Sequence, residues 1–218
     1  ILPLSKELKK VAVIGPNADN ETSVLGNYNG FPSQIMTPYK AIKAKLNDAE
    51  VIYEKGIDFV KSPENTKDNI AVIVEKMKSM DAVIFVGGIS PELEGEEMPV
   101  NVEGFTGGDR TTIKFPKIQT DLLKALHEEN IPVVFVMMTG SAIAIEWESE
   151  NIPAILNAWY GGQDAGTAIA DVLFGDYNPS GKLPVTFYIK DDDLPAFNSY
   201  QMKNRTYRYF GGEVLYPF

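Results

Sequence analysis

Six short runs of apolar, β-favouring residues recur along the chain with helix-like stretches between them, and this alternation constrains the fold more than anything else in the sequence. The runs are KVAVIG (10–15), VIYEKG (51–56), DAVIFVGG (81–88), PVVFVMM (132–138), PAILNAWY (153–160) and LPVTFY (183–188). Most are continuous rather than alternating, the pattern of parallel strands covered on both faces. Between them, TPYKAIKAKL (37–46) offers Thr37 as an N-cap and Pro38 in the first turn, with Ile42 and Leu46 four apart. The stretch 65–80 is longer and amphipathic, and 116–130 spaces Ile118, Leu122 and Leu126 along one stripe. The stretch 163–175 ends on Gly175, a natural C-terminal stop. Strand and helix in this order predict an α/β fold, a doubly wound, mostly parallel sheet with helices on both faces. Residues 1–190 carry it, and 191–218 form a trailing segment.

Composition narrows the chemistry. The 218 residues include no cysteine, which removes disulfides, thiolate nucleophiles and cysteine-based zinc sites. A formal charge of −10 speaks against a nucleic-acid or anionic-membrane surface, and no run approaches the roughly 20 apolar residues of a membrane helix. The one histidine, His127, falls at the end of a helical stripe and is expected to be a solvated helix-end residue rather than a catalytic base. Neither end resembles a natural terminus, since ILPLSKELKK has no initiating methionine or leader pattern and YFGGEVLYPF is aromatic.

In a doubly wound sheet, function gathers on loops leaving the carboxyl ends of the strands. Two loops stand out. GPNADN after the first strand lacks G-x-G-x-x-G spacing, no G-x-x-x-x-G-K-(S/T) occurs, and a tight turn at the sheet's edge is expected there. The loop after the third strand, residues 89–115, places Glu92, Glu94, Glu96 and Glu97 within six positions and Glu103 close behind. Loops of that length are usually functional or disordered. Its carboxylates could serve a hard metal ion, although calcium-loop spacing with its central glycine is missing. They could be a solvated acidic face. They could also do acid/base work, because glycoside hydrolysis needs one carboxyl group to protonate a leaving oxygen and a second as nucleophile or base. Clustered carboxylates raise one another's pKa, and Asp109 with Arg110 forms a natural ion pair to tune them. Spacing alone leaves these open.

Several blocks, in order, resemble one family. ILPLSKELKKVAVIGPNAD, LGNYNGFPSQIMTPYKAI, GGDRTTIKFPKIQTDLL and AWYGGQDAGTAIADVLFGDYNPSGKLPVTF are similar to the C-terminal α/β-sandwich domain of glycoside hydrolase family 3, the β-xylosidases and β-glucosidases. The third block follows that family's D-R-x-x-(I/L)-x-x-P-x-x-Q-x-x-L pattern, and YRYFGGEVLYPF resembles its exit towards a fibronectin-like domain. The resemblance implies a retaining exo-β-glycosidase acting on oligosaccharides or aryl glycosides, β-xylosides or β-glucosides, with no cofactor and no metal. It implies an upstream TIM-barrel-like domain that supplies the nucleophilic aspartate, so the fragment alone should not turn over. It implies a periplasmic or secreted protein. This domain then contributes the proton donor from the loop before Asp109-Arg110. The compact E-G-x-D-R is expanded here, and ELEGEEM resembles the E-A-E run of the xylosidases. Glu96 is expected as the donor with Glu94 second and Glu97 and Glu103 behind them, and Asp109 and Arg110 serve either as loop scaffold or in support of the acid/base. The resemblance also admits a non-catalytic carbohydrate-binding or scaffolding module of the same fold. Gly161, Gly162 and Gly166 are expected to permit a tight turn and close packing, Trp159 to sit in the core, and Lys182, Tyr207, Tyr209 and Phe210 to serve the surface or a neighbouring domain.

Overall fold

The computed structural model describes residues 1–60 and 66–217. In chain order the strands are β1 (Lys10–Ile14), β2 (Glu50–Glu54), β3 (Ala82–Gly88), β4 (Asn101–Val102), β5 (Phe105–Thr106), β6 (Asp109–Arg110), β7 (Val133–Met138) and β8 (Ala154–Asn157). The α-helices are α1 (Glu21–Leu25), α2 (Pro38–Lys45), α3 (Thr66–Met77), α4 (Lys117–Glu128), α5 (Glu146–Asn151), α6 (Ala165–Leu173) and α7 (Thr206–Tyr209). Residue 65, the first of the stretch expected to form the third helix, lies outside the described residues.

Five strands form a wholly parallel sheet in the order β2-β1-β3-β7-β8, and β4-β5-β6 make a small antiparallel sheet of their own. The continuous apolar runs have the cause the sequence suggested. Every residue of β3 and β7 is buried, and alternate residues serve opposite layers. Ala12, Ile14, Val83, Phe85, Phe135 and Met137 face one layer, where Ile73, Met77, Ile118, Leu122 and Leu126 of α3 and α4 meet them. Val11, Val13, Ile84, Val86, Val134 and Val136 face the other, against Ile42, Ile169 and Leu173 of α2 and α6. Each large side chain fully buried this way contributes about 1.5–3 kcal/mol of transfer free energy.

Local signals act as expected at several helix ends. The Thr37 hydroxyl accepts from the Lys40 N–H, Pro38 opens α2, and Ile42 and Leu46 are buried. Gly175, just past α6, has φ +77°, and Gly162 in the turn before it has φ +81°. At Gly166 a Cβ would stand 2.1 Å from the Thr37 carbonyl oxygen, so α6 and the start of α2 touch backbone to backbone. His127 lies exposed in the last turn of α4 with its ring edge-on to Trp147, 5.7 Å between centroids.

Three expectations are corrected. The GPNAD turn is not at the sheet's edge: β1 lies between β2 and β3, where the strand order reverses. Asn17 is buried there, its amide donating to the Gly87 and Ile89 carbonyls. LPVTFY forms no strand. Leu183 and Val185 are exposed, Phe187 is buried against Trp159 and Tyr216, and pairing is limited to the Tyr188–Val214 bridge. Without a neighbouring strand along its length, β-favouring composition cannot make a ladder. Trp159 packs against the core only from its margin: it is half-buried, two residues beyond the edge strand β8.

Candidate active site

The chain leaves β3 through a backbone-on-backbone contact. Gly88 has φ +114°, and a Cβ there would lie 1.9 Å from the Met138 carbonyl oxygen of β7. The buried amide of Gln119, on α4, clamps this exit. Its Oε1 accepts from the Gly88 N–H at 2.9 Å, and its Nε2 donates to the Gly88 and Phe59 carbonyls at 2.7 and 2.9 Å. The Ser90 carbonyl then accepts from the Leu93 and Glu94 N–H groups, a turn that folds Glu94 back over the ends of β7 and β8.

There the Glu94 carboxylate is held from both sides. Its Oε1 accepts from the Gly140 N–H and the Tyr160 hydroxyl, both at 2.6 Å, and its Oε2 accepts from the Ser141 hydroxyl at 2.7 Å. Arg110 Nη1 donates to Ser141 Oγ at 2.9 Å and to the Ala142 carbonyl at 2.7 Å, and Arg110 Nε donates to the Thr112 carbonyl. Burial pushes the Arg110 guanidinium pKa down, opposed by the charges of Glu94 and Asp191. Burial, and next the charge of Glu94, push the Tyr160 hydroxyl well above the usual tyrosine value, so it keeps the proton it donates. The loop's return is pinned by the tail: Asp191 accepts from the Thr112 hydroxyl and the Ile113 N–H, both at 2.7 Å.

Glu96 stands differently. It is exposed, and its Oε2 accepts from the hydroxyl of Tyr28, on the loop after β1, at 2.7 Å. Tyr28 is 90% exposed with φ +55°, and the Glu96 carboxylate raises its pKa. Glu92 and Glu97 are exposed. Glu103 has turned away, lining a hollow of about 400 Å³ with Phe105, Phe115 and Thr120 that excludes both Glu94 and Glu96. The fold therefore disperses the acidic cluster: one carboxylate is drawn into the rim and the others face outward.

Arg110 reaches Glu94 through Ser141, but the expected Asp109–Arg110 ion pair does not form among the described residues. Neighbours on a strand point to opposite faces, so Asp109 is exposed while Arg110 turns inward. Gly140, Ser141 and Tyr160 were not foreseen as site residues. Their common signal is position, immediately after β7 and β8 at the carboxyl edge of a parallel sheet.

Residues 1–218 match the profile of the glycosyl hydrolase family 3 C-terminal domain. The chain belongs to that family. A β-xylosidase of Formosa agariphila is 36% identical across the whole chain, which spans 30% of that protein. A xylan 1,4-β-xylosidase of Xylanibacter ruminicola is 58% identical over 66% of this chain, corresponding to 17% of its own length. A periplasmic β-glucosidase of Salmonella typhimurium is 34% identical over the whole chain, corresponding to 31% of that protein. Among solved structures, a family 3 exo-β-xylosidase bound to a xylobiose aziridine activity-based probe superposes with TM-score 0.84 at 29% identity, covering all of this chain and 28% of that one. The chain thus spans less than a third of the length of these relatives. Its five-stranded parallel sheet with helices is that of the family 3 C-terminal domains, found in β-xylosidases and β-glucosidases.

Proposed function

We propose that this domain supplies the general acid/base of a retaining exo-β-glycosidase acting on β-xylosides or β-glucosides, and that Glu94 rather than Glu96 is the residue that does so. The observation that carries this is the anchoring of Glu94: it is the carboxylate of the acidic loop that the carboxyl edge of the sheet holds by both oxygens. A proton donor must keep its geometry while the glycosidic bond breaks, and fixed donors on rigid elements provide that. Glu96 is exposed and tied to an exposed tyrosine.

In the first step the Glu94 carboxyl gives its proton to the glycosidic oxygen as the C1–O bond breaks and a second carboxylate, elsewhere in the polypeptide, bonds to C1. In the second step the Glu94 carboxylate takes a proton from water as the water oxygen attacks C1 and the covalent bond to the nucleophile breaks. No cofactor takes part. The names of the relatives support a xyloside or glucoside as substrate, and the periplasmic relative supports a periplasmic or exported protein. Residues 191–218 would lead on towards a following domain, with a barrel-like domain upstream carrying the nucleophile.

The test uses the full polypeptide with dinitrophenyl and phenyl β-xylosides, with and without azide, for the parent, Glu94→Gln and Glu96→Gln. Loss of general acid catalysis lowers turnover of the phenyl substrate by about 10²–10⁴-fold. Azide, which needs no general base, restores release from the dinitrophenyl substrate in Glu94→Gln. Rescue confined to Glu96→Gln moves the role two residues along; rescue in neither variant refutes the assignment to this loop pair.

A further inference from the structure

A carboxylate offers about four lone-pair positions to hydrogen-bond donors. Around Glu94 the donors are unequally shared: two on Oε1, from the Gly140 N–H and the Tyr160 hydroxyl, and one on Oε2, from Ser141. The direction of the Ser141 hydroxyl is itself fixed. Arg110 has only donors, so the oxygen of Ser141 must accept from it and the serine proton is turned towards Glu94. Arg110 is in turn anchored by the Ala142 and Thr112 carbonyls and does not touch the Glu94 carboxylate directly in this network.

We propose that Tyr160 and Ser141, the latter oriented by Arg110, are positioning residues for Glu94: with the Gly140 N–H they occupy three of its four lone-pair positions and leave one, on Oε2, for the glycosidic oxygen. This rests on the reading of Glu94 as proton donor and adds to it the atom that carries the proton and the residues that choose that atom. Oε1, saturated by two donors, has no free site for a proton. Oε2 has one. Removing a donor therefore does not abolish the acid; it opens a second site for the proton, on the wrong oxygen or at the wrong angle.

Such a fault has a signature that general loosening of the fold lacks. It should slow the departure of leaving groups that need protonation and spare those that do not. The experiment compares Tyr160→Phe, Ser141→Ala and Ser141→Thr in the full polypeptide on phenyl and dinitrophenyl β-xylosides. Azide is present so that the base-catalysed second step does not limit the rate. Tyr160→Phe and Ser141→Ala are expected to lower kcat on the phenyl xyloside by about 10- to 100-fold, with KM within about 3-fold and the dinitrophenyl rate nearly unchanged. Ser141→Thr keeps the hydroxyl and is expected to recover most of the loss.

Equal losses on both substrates, no loss on either, or a Ser141→Thr no better than Ser141→Ala would overturn the proposal. Should Tyr160→Phe not fold, the two Ser141 variants decide it alone. Glu94→Gln, run alongside, separates the two levels. If it shows steep dependence on the leaving group while the Tyr160 and Ser141 variants do not, the positioning roles fall and the donor stands. If Glu94→Gln shows no such dependence, the donor assignment falls and the positioning roles fall with it.

Discussion

The rim formed by the ends of β3, β7 and β8 and the outer surface formed by the loop after β1 lie side by side, yet they are built differently. At the rim the backbone approaches backbone at Gly88, the Gln119 amide satisfies three main-chain groups, and Glu94 is held by three donors. On the outer side, Tyr28 and Phe31 are almost wholly exposed, and a single hydrogen bond joins Tyr28 to Glu96. Two glutamates two residues apart thus inhabit different solvents. The rim is finished within this domain. The outer wall presents exposed aromatic side chains.

Gln119→Leu should break the comparison most deeply, because it attacks the floor of the rim. Leucine conserves much of the volume but orphans the Gly88 N–H and the Gly88 and Phe59 carbonyls. Buried unpaired groups cost about 1–3 kcal/mol each, offset in part by relaxation, so a loss of about 2–4 kcal/mol is expected. Thermal unfolding of the domain should then shift down by on the order of 10 °C. A change of only a degree or two would mean the strand exit does not depend on its clamp.

Gly140→Ala should separate stability from function. An added Cβ would stand 2.9 Å from Glu94 Oε1 and 3.1 Å from Tyr160 Cε2, contacts that displace the carboxylate without touching the core. If Glu94 is the proposed acid, a shift of its carboxylate by a fraction of an ångström is expected to lower kcat on a poor leaving group by up to about 10²-fold. Unfolding temperature should fall by no more than about 2–4 °C. A large fall in stability with unchanged kcat would reverse the roles assigned to rim and donor.

On the outer side the same kind of change should do little. Tyr28→Phe removes the hydrogen bond to Glu96 from two exposed groups. Stability should change by less than about 0.5 kcal/mol, within the error of denaturant unfolding. Turnover on the phenyl xyloside should stay within about 3-fold of the parent. A loss as large as that of Gly140→Ala would put the outer pair, not the rim, at the centre of the site.

What the sequence revealed follows the range of the interactions involved. The three inner parallel strands, β1, β3 and β7, were legible because burial on both faces writes itself as an unbroken apolar run, and α2 was legible because Thr37 and Pro38 are local signals. LPVTFY misled for the complementary reason: its composition suits a strand, but pairing depends on a neighbour that composition does not encode. The acidic loop could be singled out by its glutamates, yet Glu94 and Glu96 have equivalent local contexts. What distinguishes them is Gly140, Ser141 and Tyr160, between 46 and 66 residues away along the chain. The Asp109–Arg110 pair failed on geometry that a strand assignment would have exposed, since adjacent residues cannot share a face.

A third carboxylate sharpens the contrast between burial and anchoring. Glu148, on α5, is only 2% exposed, and its side chain accepts from the Thr120 hydroxyl at 2.6 Å. Burial raises its pKa, and the hydrogen bonds from Thr120 and from its own N–H, with the charge of Lys124, offset this only in part. A carboxyl whose folded pKa lies above the unfolded value contributes its stability fully below the unfolded value, about 4.3, and loses it as pH rises through the folded value. Glu148→Gln keeps the shape and cannot ionise. It should therefore match the parent most closely near pH 4 and gain on it as pH rises towards 8, a small upward shift in unfolding temperature measured by scanning fluorimetry across that range. An advantage for the variant that is largest at pH 4 would mean that the ionised Glu148 is held by partners as effective as those of Glu94, and that burial and anchoring are not the separate properties the two ends of this domain suggest.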